Sequence, residues 1–191
     1  MVAAHRDERT GRRMRLSTDV VIKDAGAADA ERCAEIYAPY VLDTAISFET
    51  EPPTAEEMAR RIADAQRAHA WLVLEDEGVV VGYAYGGPFM SRAAYQWAAA
   101  VSVYVATGRR RTGGGRALYE ALLGRLAERG HRAALAGIAL PNEASTGLHL
   151  AMGFEPVGTY RRVGWKHGRW HDVAWYQRAL GDEDGAPAPL R

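Results

Sequence analysis

The sequence predicts an α+β fold with a mixed, mostly antiparallel sheet flanked by helices. Three observations carry this prediction. Two apolar runs, 71–74 and 79–85, flank the polar turn Glu75-Asp76-Glu77-Gly78, the pattern of an antiparallel hairpin. Leu118, Leu122 and Leu126 recur every four residues, the period of a buried helix stripe. The remaining strand-like and helix-like segments follow in mixed order, whereas a doubly wound sheet would alternate them throughout.

A short strand at 20–23 leads to a helix that Asp29 can cap, with Cys33, Ile36 and Tyr37 on its inner face. Pro39 and the turn-rich stretch after it are expected to end that helix. Thr54 and Glu57 have the spacing of a capping box ahead of a second helix with Met58, Ile62 and Ala65 as its stripe. After the hairpin come a strand at 98–105, the leucine helix, a strand near 133–139, a helix over 142–152, and strands near 157–161 and 172–178.

Residues 19–180 read as a single domain. Residues 1–18 read as a disordered lead-in and 181–191 as a flexible tail. The chain has 191 residues, with 24 basic side chains against 24 acidic ones, so no overall field favours nucleic acid or an anionic membrane. One cysteine, Cys33, cannot form an internal disulfide or a zinc site, and this points to a reducing cytoplasm. No apolar run reaches the roughly 18 residues of a membrane span. No metal and no membrane or nucleic-acid partner is expected.

The chemistry concentrates in residues 103–118. A strand runs into a loop holding Arg109, Arg110, Arg111 and Arg116 with no acid among them, and Gly113, Gly114 and Gly115 then open a helix. Glycines allow close backbone approach, and a helix start offers unpaired N–H groups at the positive end of the dipole. Together these make a cradle for an anion, most naturally a phosphate. Gly108 and Gly113 have Walker spacing, but Gly114 and Gly115 stand where Lys and Ser or Thr would follow. A dinucleotide fingerprint would need a glycine at Leu118 and an acid near Gly137.

Arg110-x-x-Gly113-x-Gly115 instead resembles the pyrophosphate loop of the GNAT superfamily of N-acetyltransferases. The same superfamily has an Asn at the start of the next helix, often a Tyr seven positions later, and a Gly-Phe exit. Here these positions hold Asn142, His149 and Gly153-Phe154. Phe48-Glu49-Thr50-Glu51-Pro52, Tyr83-Ala84-Tyr85-Gly86-Gly87-Pro88-Phe89, Val103-Tyr104-Val105, Leu140-Pro141-Asn142 and 165–173 resemble the phosphinothricin and methionine-sulfoximine acetyltransferases in particular. The likeness spans nearly the whole domain.

The resemblance implies a fold with a splayed-strand acyl-CoA cleft. It implies acetyl-CoA as co-substrate, a small amine as substrate, a resistance role and a homodimer. It places Val103, Tyr104 and Val105 on the pantetheine arm, and Arg110, Arg111, Thr112, Gly113, Gly114, Gly115 and Arg116 around the pyrophosphate. Asn142 would hydrogen-bond the cofactor chain. Phe89, Met90 and Ser91, with Ala100, Val101, Ser102, Lys166 and His167, would border the amine substrate.

One departure bears on mechanism. The branch credits a base to a Glu on the strand before Val-Tyr-Val, and an ungapped alignment on Trp97 puts Ala100 there. Three readings stay open. His149 could act as general base through a water; the substrate could be a weaker base or differently oriented; or the protein could keep acyl-CoA binding without the ordinary activity. A peptide N-acetyltransferase is a further alternative. Asp172 follows His171, but successive strand residues face opposite ways, so no dyad is expected.

Overall fold

The computed structural model describes residues 20–109, 112–181 and 185–191. The lead-in at 1–18, Arg110 and Arg111 lie outside them. One seven-stranded sheet has the order β1-β2-β3-β4-β5-β7-β6. The strands are β1 (Val20–Asp24), β2 (Ala70–Asp76), β3 (Val79–Pro88), β4 (Ala98–Val105), β5 (Ala133–Ala139), β6 (Glu155–Lys166) and β7 (Arg169–Ala179). All neighbours are antiparallel except β4 and β5. The helices are α1 (Ala30–Leu42), α2 (Ala55–Ala68), α3 (Gly114–Glu128) and α4 (Glu143–Ala151).

Strand alternation sorts the core into two layers. Ala70, Leu72 and Leu74 of β2 face Leu118, Leu122 and Leu126 of α3. Trp71 and Val73 face the opposite way, toward Cys33 and Ile36 of α1 and Met58 and Ile62 of α2. The β2–β3 turn is Glu77-Gly78, with both residues at positive φ (55° and 77°), the two-residue hairpin geometry that suits strand twist.

Several boundaries differ from the sequence expectation. Pro39 lies inside α1, which continues to Leu42. The missing Pro N–H is outweighed by burial of Tyr40 and Val41 on the far side of it. Asp29 precedes α1, but its carboxylate accepts from Gly26 N at 2.9 Å instead of capping that helix. Thr54 Oγ1 does accept from Glu57 N at 3.2 Å, whereas the Glu57 carboxylate turns to Arg60 and Arg61. Strands β6 and β7 are longer than their apolar pattern suggested, because β6 is an edge strand that stays exposed over most of its length. The chain's last residues pack back onto the domain: Trp97 Nε1 donates to Ala188 O at 2.8 Å, and Arg191 N to Arg129 O at 3.0 Å.

Beneath the sheet's lower end, His69 and His131 stack with ring centroids 4.8 Å apart. Burial, with His131 and Arg129 nearby, pushes His69 down to about 4, and burial lowers His131 as well. Both rings are therefore neutral at pH 7. The unfolded chain takes up protons below about pH 6.5 that the folded pair refuses, so stability falls as pH drops from there toward 4. Urea titrations at pH 7 and pH 4.5 should show a loss that shrinks by about 2 kcal/mol in His69→Asn. An equal loss in both proteins would remove the pair as its cause.

Candidate active site

Strands β4 and β5 pair only from Ala98 to Ala100 with Ala133 to Leu135. Beyond that, β4 stays with β3 as far as Val105, and β5 follows β7. A wedge opens between them. Trp97 O accepts from Arg132 N and Ala133 N on the β5 side, while Ala106 N donates to Val81 O on the β3 side. Alternation along the strand thus turns the backbone groups of Val101, Val103 and Val105 into the wedge. The Tyr40 hydroxyl occupies the last of these, donating to Val105 O (2.6 Å) and accepting from Val105 N (3.3 Å). Val101 and Val103 are left to serve a ligand.

The wedge opens toward the start of α3. Gly113 precedes it at φ 96°, a left-handed conformation that favours glycine, and the amides of Gly114, Gly115 and Arg116 follow with no helical carbonyl before them. Thr112 Oγ1 closes the loop by donating to Arg109 O at 2.9 Å. The arginines divide. Arg109 is drawn out of the expected cradle to the buried carboxylate of Asp76 at 2.7 Å, a partner 33 residues earlier that local sequence could not indicate. Among the described residues, Arg116 makes only an exposed pair with Glu120, the weak kind that an anion can displace. This end of the cleft therefore fits the diphosphate of a coenzyme.

Asn142 caps α4, its Oδ1 accepting from Ser145 N at 3.1 Å, and it lines the cleft together with Ser145, Tyr119 and His149. His149 is 3% exposed. Its Nδ1 lies 2.8 Å from Ser145 O, a carbonyl that can only accept, so the proton is assigned to Nδ1. Nε2 then accepts from the Tyr119 hydroxyl at 2.9 Å. Burial lowers the ring's pKa, and the histidine is neutral at pH 7. Both ring nitrogens are thus committed, and a proton reaching Nε2 from the cleft must pass the Tyr119 hydroxyl. Sequence reasoning missed Tyr119, although it is the one aromatic residue of α3.

On the opposite face of the sheet, Ala100 lies across from Gly87, and Ser102 across from Tyr85. Phe89 packs edge-on against Tyr95 and Trp175, while Met90 and Ser91 are exposed. Lys166 has a different role from the expected substrate contact. Its buried ammonium donates to the carbonyls of Val41, Ser47 and Glu49 at 2.6, 2.7 and 2.8 Å, tying the α1–α2 connection to β6. His167 Nε2 lies 3.2 Å from Thr44 O on the same connection. His171 and Asp172 bond separately, to Lys166 O and Arg162 N, so they form no dyad. The carboxylate of Glu49 accepts from Tyr37 and from two nitrogens of Arg61, an arrangement the sequence did not suggest.

Residues 22–175 match the model of the acetyltransferase (GNAT) domain family. The chain belongs to the GNAT acetyltransferases. Among similar proteins, a phosphinothricin N-acetyltransferase of Streptomyces viridochromogenes is 40% identical over 90% of this chain and 93% of its own. An L-methionine sulfoximine/L-methionine sulfone acetyltransferase of Pseudomonas paraeruginosa is 37% identical over 87% and 98%. A crystal structure of a Sinorhizobium meliloti phosphinothricin acetyltransferase in complex with acetyl-CoA superposes with TM-score 0.85 at 38% identity, covering 88% of this acetyltransferase and 93% of that chain. The expected GNAT fold and its mostly antiparallel sheet are therefore present, and acetyl-CoA is the co-substrate.

Proposed function

We propose that this acetyltransferase moves the acetyl group of acetyl-CoA to the amino group of a small amino-acid-like substrate of the phosphinothricin or methionine-sulfoximine type. The observation carrying this reading is the wedge between β4 and β5, which ends at the glycine start of α3. The backbone of Val101 and Val103, the first amides of α3 and Asn142 would hold the coenzyme, and its thioester supplies the acetyl group. Neutral His149, reached through Tyr119, is the group able to take the amine's proton and return one to the leaving thiol. The names of the relatives support the substrate class.

Thiol release from acetyl-CoA should require phosphinothricin, methionine sulfoximine or a related amino acid, and the product should gain the mass of one acetyl group. No release above background across a broad amine panel would overturn the reading. Ala100 favours a second one, acyl-CoA binding without catalysis. Tight acetyl-CoA binding by calorimetry, with no turnover either before or after Ala100→Glu, would support it.

We further infer a homodimer and a cytoplasmic setting. Edge strand β6 and the start of β7 expose Val157, Tyr160, Val163, Trp165 and Trp170, an apolar row that supports association of two copies. The buried, unpaired Cys33 fits a reducing compartment.

A further inference from the structure

We infer that Asp76 is a positioning residue for the coenzyme: acting through Arg109, its buried carboxylate holds the turn between β4 and α3 so that the first amides of α3 meet the coenzyme's diphosphate. The inference rests on the acetyltransferase reading, which puts the diphosphate at the start of α3, and extends it to a residue on a different hairpin.

Asp76 is the last residue of β2, with Val20 of β1 across from it on one side and Val79 of β3 on the other. Two strand neighbours fix its backbone, and its side chain is 2% exposed. From there its carboxylate accepts from Arg109 Nη1 at 2.7 Å. The same hairpin holds the end of β4, because Val81 O accepts from Ala106 N at 2.8 Å. Between these two anchors Arg109 N donates to Ala106 O at 3.0 Å, and Gly108 sits at φ 88°. Arg109 O then accepts from Thr112 Oγ1 at 2.9 Å, next to Gly113. A chain of contacts thus runs from a rigid strand end, through the side chain and backbone of Arg109, to the N-cap of α3.

Stability alone gives little reason for a buried ion pair at this place. Desolvation offsets most of its Coulomb energy, and two packed apolar side chains would hold the strand end as well. What the pair adds is direction: a charged hydrogen bond fixes where Arg109 stands relative to the sheet. The turn needs that constraint, since Gly108 and Gly113 both lie at positive φ and glycine backbones lose the most freedom on ordering. Ordering the turn before the coenzyme arrives removes that cost from binding. The pair also neutralises Arg109, so the carboxylate acts on the coenzyme through the shape of the turn and not through charge.

The test measures CoA binding by calorimetry and pantetheine binding by amide NMR titration, in the natural protein and in Asp76→Asn. Pantetheine lacks the diphosphate, so it reports on the wedge alone. The amide variant keeps the size of the side chain and removes its charge. CoA is expected to bind about tenfold more weakly to Asp76→Asn, with pantetheine binding within about twofold of the natural protein. Unchanged CoA affinity would overturn the inference, as would equal losses for both ligands, the mark of general damage to the fold. Tighter CoA binding would overturn it too, since Arg109 would then be a phosphate ligand that Asp76 withholds. Should Asp76→Asn fail to fold, Arg109→Ala leaves the buried carboxylate in place and is expected to show the same selective loss. Natural CoA affinity in that variant would refute the inference. Neither measurement needs turnover, so an absence of acetyl transfer would count against the acetyltransferase reading and leave this result standing.

Discussion

Replacing His149 with alanine is expected to lower kcat about a hundredfold or more while KM for acetyl-CoA stays within about threefold, since proton transfer is removed and the coenzyme's contacts are not. The pH profile supplies the sharper reading. The histidine must be neutral to accept a proton at Nε2, and burial holds its pKa below the usual histidine value. The natural enzyme should therefore keep its activity as pH falls through 6.5 and lose it only below that. Tyr119→Phe keeps the ring and removes the hydroxyl that covers Nε2. It should reproduce most of the His149→Ala loss, and the double variant should be little worse than either single one, as expected of groups acting as a unit. An unchanged acid limb in both variants, or fully multiplicative losses, would take the pair out of the mechanism. Thermal melting of each variant separates lost chemistry from lost folding.

Lys166→Met should destabilise the protein by about 3 kcal/mol or more, because it leaves the carbonyls of Val41, Ser47 and Glu49 without their donor. The methionine fills much of the same space, so the loss reports on the hydrogen bonds more than on a cavity. The effect should reach function as well. Those carbonyls fix the segment that carries Glu49 toward Tyr37 and Arg61. KM for the amine is expected to rise more than KM for acetyl-CoA, whose proposed sites lie on β4 and α3. A melting temperature within about a degree of the natural protein would show that the ammonium is not holding this segment.

Most of the fold was legible because its signals are local. The hairpin turn, the leucine stripe of α3 and the glycine run before it each depend on residues close together in the sequence. The Asn142 cap could be placed for the same reason. What was hidden depends on distant partners. Arg109 looked like one of four cradle arginines until Asp76, on the preceding hairpin, claimed it. Lys166 looked like a substrate cation, but its acceptors are backbone carbonyls more than a hundred residues away, and backbone groups carry no sequence signal. Pro39 was read as a stop because its local cost is plain, whereas the packing that outweighs it involves Val105. His149 was only half visible: its helix position could be read, its tie to Tyr119 could not.

The short joint between β4 and β5 has a consequence for how the molecule responds to its ligand. Seven strands form one sheet, yet its two halves share only three residue pairs, and the edge beyond them is completed by no strand. Whatever docks on Val101 and Val103 bonds to groups that in an ordinary sheet would hold the protein together. Saturation with coenzyme should therefore act on the fold as a cross-brace, raising the resistance of both halves to unfolding in step with its affinity.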